Sequence, residues 1–202
     1  MKVLSLFDGI SCGMVALERA KIPVERYVAY EIDKYAIQVS NKNYPQIEHC
    51  GDVTTADFTK YKGFDLLIGG SPCTHWSIAN KNRETTTNGI GFELFMHTET
   101  TYDRAITEFE IKNNVFDMAK RIYHINGKHP TLTTLSGGHQ RKTITDGTEL
   151  FYLEPIHCER LQTLPDNYTE GVSDRQRFKA LGNGWTVDVI SHILSFIPNE
   201  PL

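Results

Sequence analysis

The 202-residue chain has no Cys-x-x-Cys pair, no long hydrophobic run, no internal repeat and no low-complexity tract. Its cysteines, at positions 12, 50, 73 and 158, are too scattered for a zinc module. His49-Cys50 and His157-Cys158 are adjacent pairs, but neighbouring side chains on a strand point to opposite faces, so no metal centre is expected. No apolar stretch is long enough to span a bilayer, and the first residues read as a strand rather than a secretory leader. The cysteines therefore read as reduced thiols of an intracellular protein. An excess of basic charge is missing too: the net charge is -4, the pI is about 6.1, and neither half is basic overall. A general nucleic-acid coat is thereby excluded, and DNA binding would need a local positive groove.

What is present is ordinary globular composition, 40% hydrophobic and 23% charged, with a regular alternation of short apolar runs and helical stretches. Strands are expected at Lys2 to Phe7, Arg26 to Glu31, Ile47 to Gly51 and Asp65 to Gly69. Helices are expected at Met14 to Lys21, stopped by Pro23, and at Lys34 to Asn43, stopped by Tyr44-Pro45. Strands alternating with helices imply a parallel, Rossmann-like α/β sheet. Beyond it come a polar run at 80–91 that reads as a lid loop, helix signals at Gly91 to Met96 and Ala105 to Met118, and short β-like pieces over 121–157. Helices at Ile156 to Gln162, Asp174 to Leu181 and Val187 to Phe196 close the chain. The expected division is 1–97 for a cofactor-binding and catalytic part, 98–150 for a reduced, irregular β-containing target-recognition region, and 151–202 for helices that complete the cofactor pocket.

Gly69-Gly70-Ser71-Pro72-Cys73 delivers a cysteine onto a polar turn just past the carboxyl end of a strand. In open α/β sheets that is where ligands bind, and an exposed thiol near a turn can be a nucleophile. Three further strand ends carry polar groups. Phe7-Asp8-Gly9, with Gly13 at the head of a helix, leaves backbone amides open to an anion. Glu31 can accept hydrogen bonds from a ribose diol, Ile32 is placed to lie against a base, and Asp52 can take an amino hydrogen of that base. Together they describe a site for a nucleoside-bearing cofactor.

These pieces resemble the C5-cytosine DNA methyltransferases. The matching segments are Leu4 to Gly13, Tyr30-Glu31-Ile32-Asp33, Gly51-Asp52-Val53, Gly69 to Cys73, Gly91 to Phe95, Glu159 to Asp166 and Ala180 to Asn183, in the order of that family. The resemblance implies S-adenosylmethionine as cofactor and DNA as partner. Phe7, Asp8, Gly9 and Gly13 would line the methionine and ribose end, Glu31 the ribose hydroxyls, and Ile32, Asp52 and Val53 the adenine. Asn183 and Gly184 would close the pocket, and Cys73, preceded by Pro72, would be the nucleophile that adds to C6 of a flipped cytosine. Lys120, Arg121, Lys128, Arg141 and Lys142 are candidate phosphate contacts.

The family's Glu-Asn-Val-like strand and its Gln-x-Arg-x-Arg element have no counterpart in this chain. A deletion between about 97 and 103 is the expected origin. Its consequences are loss of the acid that makes C6 electrophilic and exposure of the strand edge at 65–68, which a second chain could cover. Three functions follow: an autonomous though impaired methyltransferase, an inactive cofactor- or DNA-binding remnant, or one subunit of a split enzyme.

Overall fold

The computed structural model describes residues 1–70, 122–124, 132 and 142–197. The lid loop at 80–91, the helices expected at Gly91 to Met96 and Ala105 to Met118, and the residues Pro72, Cys73, Lys120, Arg121, Lys128 and Arg141 lie outside them. The chain forms two compact units, one of residues 1–101 with 185–202, the other of 102–184. The expected boundary at 150/151 therefore falls inside the second unit, and the stretch 151–202 is divided between the two.

In the first unit, β1 (Lys2–Leu6), β2 (Arg26–Tyr30), β3 (Glu48–His49) and β4 (Leu66–Gly69) form an all-parallel sheet in the order β3-β2-β1-β4. Each of β1 and β2 begins with a cation and continues as an unbroken buried run, Val3 to Leu6 and Tyr27 to Tyr30. Unbroken burial is the mark of a parallel sheet covered on both faces. Helices α1 (Cys12–Arg19) and α2 (Lys34–Asn43) supply the crossovers. The Asp33 carboxylate caps α2 by accepting from the Tyr35 amide at 2.9 Å.

Differences from the sequence reading have local causes. Strand β3 is shorter than expected because the Ile47 amide is turned back onto the Tyr44 carbonyl and Gly51 leaves the extended region at φ +76°. Helix α1 starts early because Ser11, at φ +62°, turns the chain straight into it. Strand β4 pairs with β1 and, among the described residues, with nothing on its other side; Leu67 on it is 48% exposed.

After the second unit, helix α5 (Val187–Leu194) belongs to the first and packs on α1, with Arg19 donating to Asp188 at 2.6 Å. Gly13 allows close packing here. A Cβ at that position would lie 2.5 Å from Ile68 Cδ1 and 2.8 Å from the Tyr27 hydroxyl. Gly13 is thus a glycine of helix-to-sheet contact, and its open face is filled by protein.

In the second unit, β5 (Ile122–His124) runs parallel to β6 (Thr143–Thr145), which pairs antiparallel with β7 (Leu150–Tyr152). Helices α3 (Pro155–Leu161) and α4 (Asp174–Asn183) follow and pack together. The His157-Cys158 pair, read above as if on a strand, is helical. His157 Nδ1 accepts from the Glu154 amide at 3.0 Å at the head of α3, and Cys158 is buried.

Glu159, fully buried, organises this unit. Its Oε2 accepts from the Asn167 amide at 2.7 Å, and its Oε1 from the Thr169 amide at 2.8 Å and from Arg177 at 2.9 Å. The Thr169 hydroxyl donates to Oε1 as well. Arg160 holds Asp166 in a bidentate pair, and Gln162 Nε2 donates to the carbonyls of Leu181 and Gly184 at the C-terminal end of α4. Among the described residues, no helix is long and apolar enough to cross a membrane.

Replacing one member of a buried ion pair leaves the other charge uncompensated, typically at about 3–5 kcal/mol. Glu159→Gln is therefore expected to lower stability by about that much in urea unfolding of the full chain. A loss below about 1 kcal/mol would show that the Glu159 cluster does not hold the unit together.

Candidate nucleoside-binding site

The carboxyl ends of β1, β2 and β3 lie side by side, and the site is built on the turn that leaves β1. That turn, Phe7 to Ser11, contains three residues in the left-handed region: Phe7 at φ 58°, Gly9 at 62° and Ser11 at 62°. Two of them are not glycine, and such backbone persists only where its surroundings over-determine it. Asp8 does this. Its buried carboxylate accepts from Ser5 Oγ at 2.7 Å and Tyr27 OH at 2.7 Å on one oxygen, and from Ser11 Oγ at 2.6 Å on the other. The Asp8 amide donates to the carbonyl of Tyr30 at 3.1 Å, fastening the turn to the end of β2. Burial and the Asp8 charge raise the Tyr27 phenol well above its ordinary pKa, which keeps it a donor.

Glu31, one residue past β2, spans the gap between two elements. Its Oε2 accepts from the Gly9 amide at 2.8 Å, while Oε1 accepts from the amides of Ile32 and Asp33, each at 2.8 Å. A carboxylate has about four acceptor positions. Three are thus taken by backbone, and the fourth, on Oε2, is what an incoming hydroxyl would use. Ile32 follows with its side chain 75% exposed, an unusual place for an isoleucine. The turns after β1 and β3 are open at their glycines: a Cβ on Gly9 or Gly51 would meet nothing within 4 Å.

Asp52 is exposed at the end of β3, where its carboxylate accepts from the Thr54 amide at 2.9 Å. The side chain of Val53 points the other way. It is buried in a core cluster with Leu4, Leu6, Val28 and Tyr30, so only its backbone faces outward functions. The structure thus brings Phe7, Asp8, Gly9, Glu31, Ile32 and Asp52 to one end of the sheet. The inward faces of Asp8, Gly13 and Val53 are occupied by scaffold contacts. Asn183 and Gly184 lie in the second unit, at the end of α4.

The reading from sequence missed a polar chain behind this turn. Ser11 Oγ lies 2.6 Å from Ser40 Oγ on α2, which lies 3.0 Å from His49 Nε2 on β3. Two serines and a histidine on three elements carry no common spacing that would have revealed them. The thiols are better resolved. Burial pushes the Cys12 thiol up to about 12 and the Cys158 thiol up to about 11, so neither forms a thiolate near neutrality.

A parallel sheet with an acid at the tip of its second strand and an exposed apolar residue beside it is an α/β arrangement suited to a nucleoside. The comparisons narrow the class. A profile of the C-5 cytosine-specific DNA methylases matches residues 1–104 and 86–199. The chain belongs to that family, whose methyl donor is S-adenosylmethionine. The two matched stretches overlap at 86–104, where the expected deletion lies. The chain is similar to the orphan methyltransferase M.SPRI of Bacillus phage SPR, 34% identical over 115 residues, which make up 56% of this chain and 26% of that protein. It is similar as well to the DNA (cytosine-5)-methyltransferase DRM2 of Arabidopsis thaliana, 34% identical over 108 residues, 47% of this chain and 17% of the relative. The chain thus covers about a quarter or less of these relatives' length. In fold it resembles the S. pombe Dnmt2 methyltransferase, with a TM-score of 0.64 at 14% identity over 96% of this chain and 97% of that one. This last likeness speaks to the Rossmann-like architecture alone.

His49 supplies a pH test of the polar chain. Desolvation lowers its pKa below the ordinary 6.5, against the opposing pull of Asp8 and Glu31. A histidine depressed on folding binds fewer protons folded than unfolded between the two values. Its contribution to stability is therefore complete above about 6.5 and is lost as the pH falls toward the folded value. An NMR titration of His49 is expected to show a midpoint below 6.5. A midpoint above that would mean the ring is solvated or ion-paired.

Proposed function

We propose that the chain is an S-adenosylmethionine-dependent DNA (cytosine-5)-methyltransferase acting through a covalent adduct at Cys73. The observation that carries the reading is the Glu31 carboxylate, fixed by the Gly9 amide with one oxygen position left over and Ile32 exposed next to it. That arrangement fits a ribose hydroxyl beside the flat face of an adenine. Asp52 is within the same row of strand ends for the base's amino group, and the open space over Gly9 and Gly51 leaves room for the nucleoside. Phe7 and the Gly9 backbone would border the methionine end. Asn183, Gly184, Gly13 and Pro72 are carried by the family pattern.

S-adenosylmethionine would supply an electrophilic methyl group. Cytosine C5 is a poor nucleophile while the ring is aromatic. Addition of the Cys73 thiolate to C6 forms a C–S bond, moves the ring electrons toward C5 and lets C5 take the methyl group. Loss of the C5 proton then restores the C5–C6 double bond and expels the thiolate. The base must first leave the duplex for the sulfur to reach C6.

A second reading, one subunit of a split enzyme, has its own support. Leu67 on β4 is 48% exposed, and the chain covers only 26% of the phage relative. In that case a second chain covering β4 would bring the missing acid.

Labelled methyl transfer to cytosine-containing duplex DNA, together with trapping on 5-fluorocytosine DNA, tests both readings. Transfer and an adduct are expected with the wild-type chain and neither with Cys73→Ser. Glu31→Ala is expected to weaken binding of S-adenosylhomocysteine about tenfold or more, the usual weight of a hydrogen bond to a charged group. Cofactor binding with no transfer or adduct, reversed by a chain carrying the Glu-Asn-Val-like block, selects the split enzyme. Cofactor binding with neither, and no such rescue, leaves a non-catalytic remnant and overturns both.

A further inference from the structure

His49 ends a run of hydroxyls that begins at Asp8, and the direction of every proton in that run is fixed. A serine hydroxyl has one hydrogen. Ser11 donates its hydrogen to Asp8 Oδ2, so across the 2.6 Å contact with Ser40 it must accept. Ser40 has then used its own hydrogen and must accept from His49 Nε2, 3.0 Å away. The imidazole is therefore the tautomer protonated on Nε2. Its Nδ1 is left as a bare lone pair, and it is the one buried side-chain nitrogen or oxygen without a hydrogen-bond partner among the described residues. Protonation would convert this atom into a buried, unpaired donor, so the surroundings select the neutral ring. The charged groups that face it are Asp8, on the β1–α1 turn, and Glu31, past β2. Glu48, its neighbour on β3, is paired with Arg26 at 2.7 Å.

We propose that His49 is a positioning residue for the nucleoside site: as the Nε2–H tautomer it ties β3 and α2 to Asp8 and so holds the turn whose Gly9 amide fixes Glu31. The connection is short. Ser11, the middle of the run, is the left-handed residue at the head of α1, and Gly9 lies two residues before it. Losing the donor at His49 would leave Ser40 free to turn its hydrogen elsewhere, and Ser11 without its second partner. In functional terms the proposal rests on the nucleoside reading above; its geometry does not.

The test uses the full chain and the variants His49→Gln, His49→Leu and Ser40→Ala. A glutamine can place an N–H where the histidine Nε2–H lies, and a leucine cannot. Imidazole nitrogen NMR is expected to show the Nε2–H tautomer at neutral pH. His49→Leu and Ser40→Ala are expected to speed hydrogen exchange of the Gly9 amide and to weaken S-adenosylhomocysteine binding about tenfold, with His49→Gln within about twofold of wild type. An Nδ1–H tautomer, a glutamine variant as impaired as leucine, or unchanged Gly9 exchange in the leucine variant would overturn the proposal. Failure of the wild-type chain to bind S-adenosylhomocysteine would instead overturn the nucleoside reading, and the tautomer and Gly9 exchange would still decide the role of His49.

Discussion

The candidate site depends on one buried carboxylate. Asp8 sits under the β1–α1 turn and takes hydroxyl hydrogens from β1, from β2 and from the head of α1. An isolated buried carboxylate is costly to desolvate, and three short hydrogen bonds offset that cost only if their donors arrive from fixed directions. The directions are what matter. They hold Phe7 and Ser11 in a backbone region that non-glycine residues seldom occupy, and the amide of Gly9 is thereby presented to Glu31. Asp8 is a residue one would assign to the ligand from its place at a strand end. Its carboxylate instead belongs to the scaffold, and Glu31 is the acid that faces outward with an oxygen position to spare.

The second unit solves a different problem with the same device. Glu159 also lies inside and is also saturated with donors, but they come from the loop that follows α3 and from Arg177 on α4. The run Glu159 to Gln162, one of the segments that carries the family resemblance, turns out to be a set of structural fasteners. Glu159 gathers the loop, Arg160 pins Asp166 at the surface, and Gln162 terminates α4 through the carbonyls of Leu181 and Gly184. Glu159, Arg160 and Gln162 each have partners within their own unit.

Elements whose cause is local were legible in the sequence. The helix Lys34–Asn43 was bounded correctly because Asp33 caps it and Tyr44-Pro45 ends it, and the buried runs of β1 and β2 announced themselves as parallel strands. The positions of Glu31 and Ile32 at the end of β2 were legible because both follow directly on the strand. Less legible were the contacts set by residues distant in the chain. Gly13 was expected to line the cofactor, and the space that a side chain would take there is filled by Ile68 and Tyr27. Val53 was expected at the adenine, and its side chain completes the core with Leu4 and Val28, which leaves its backbone for that role. The parallel pairing of β5 with β6 and the run from Asp8 to His49 likewise join residues that no short-range period connects.

The choice of Cys73 as the proposed nucleophile follows from where the thiols lie. Attack on C6 requires a thiolate, and burial keeps Cys12 and Cys158 protonated, one in the first turn of α1 and the other within α3. Cys50 is exposed, but it lies next to the Glu48–His49 strand and receives the Tyr61 hydroxyl at 3.9 Å, on the side of the sheet end given to the base. Cys73 alone follows β4, the neighbour of β1 on the side opposite β2 and Glu31. In a sheet of order β3-β2-β1-β4, the strands on either side of β1 run to opposite sides of the point where the chain reverses its direction of winding, and ligands gather there. In the proposed reading β1 and β2 build the nucleoside half of that crevice. The chemistry then enters from the side of β4, after which the sequence places its Pro-Cys pair. A missing general acid is worth about 10²–10⁴-fold in rate, whereas a missing nucleophile removes the covalent route altogether. Under the split-enzyme proposal, a chain that keeps Cys73 and the Asp8 scaffold without the acid-bearing block is one that a second chain could still complete.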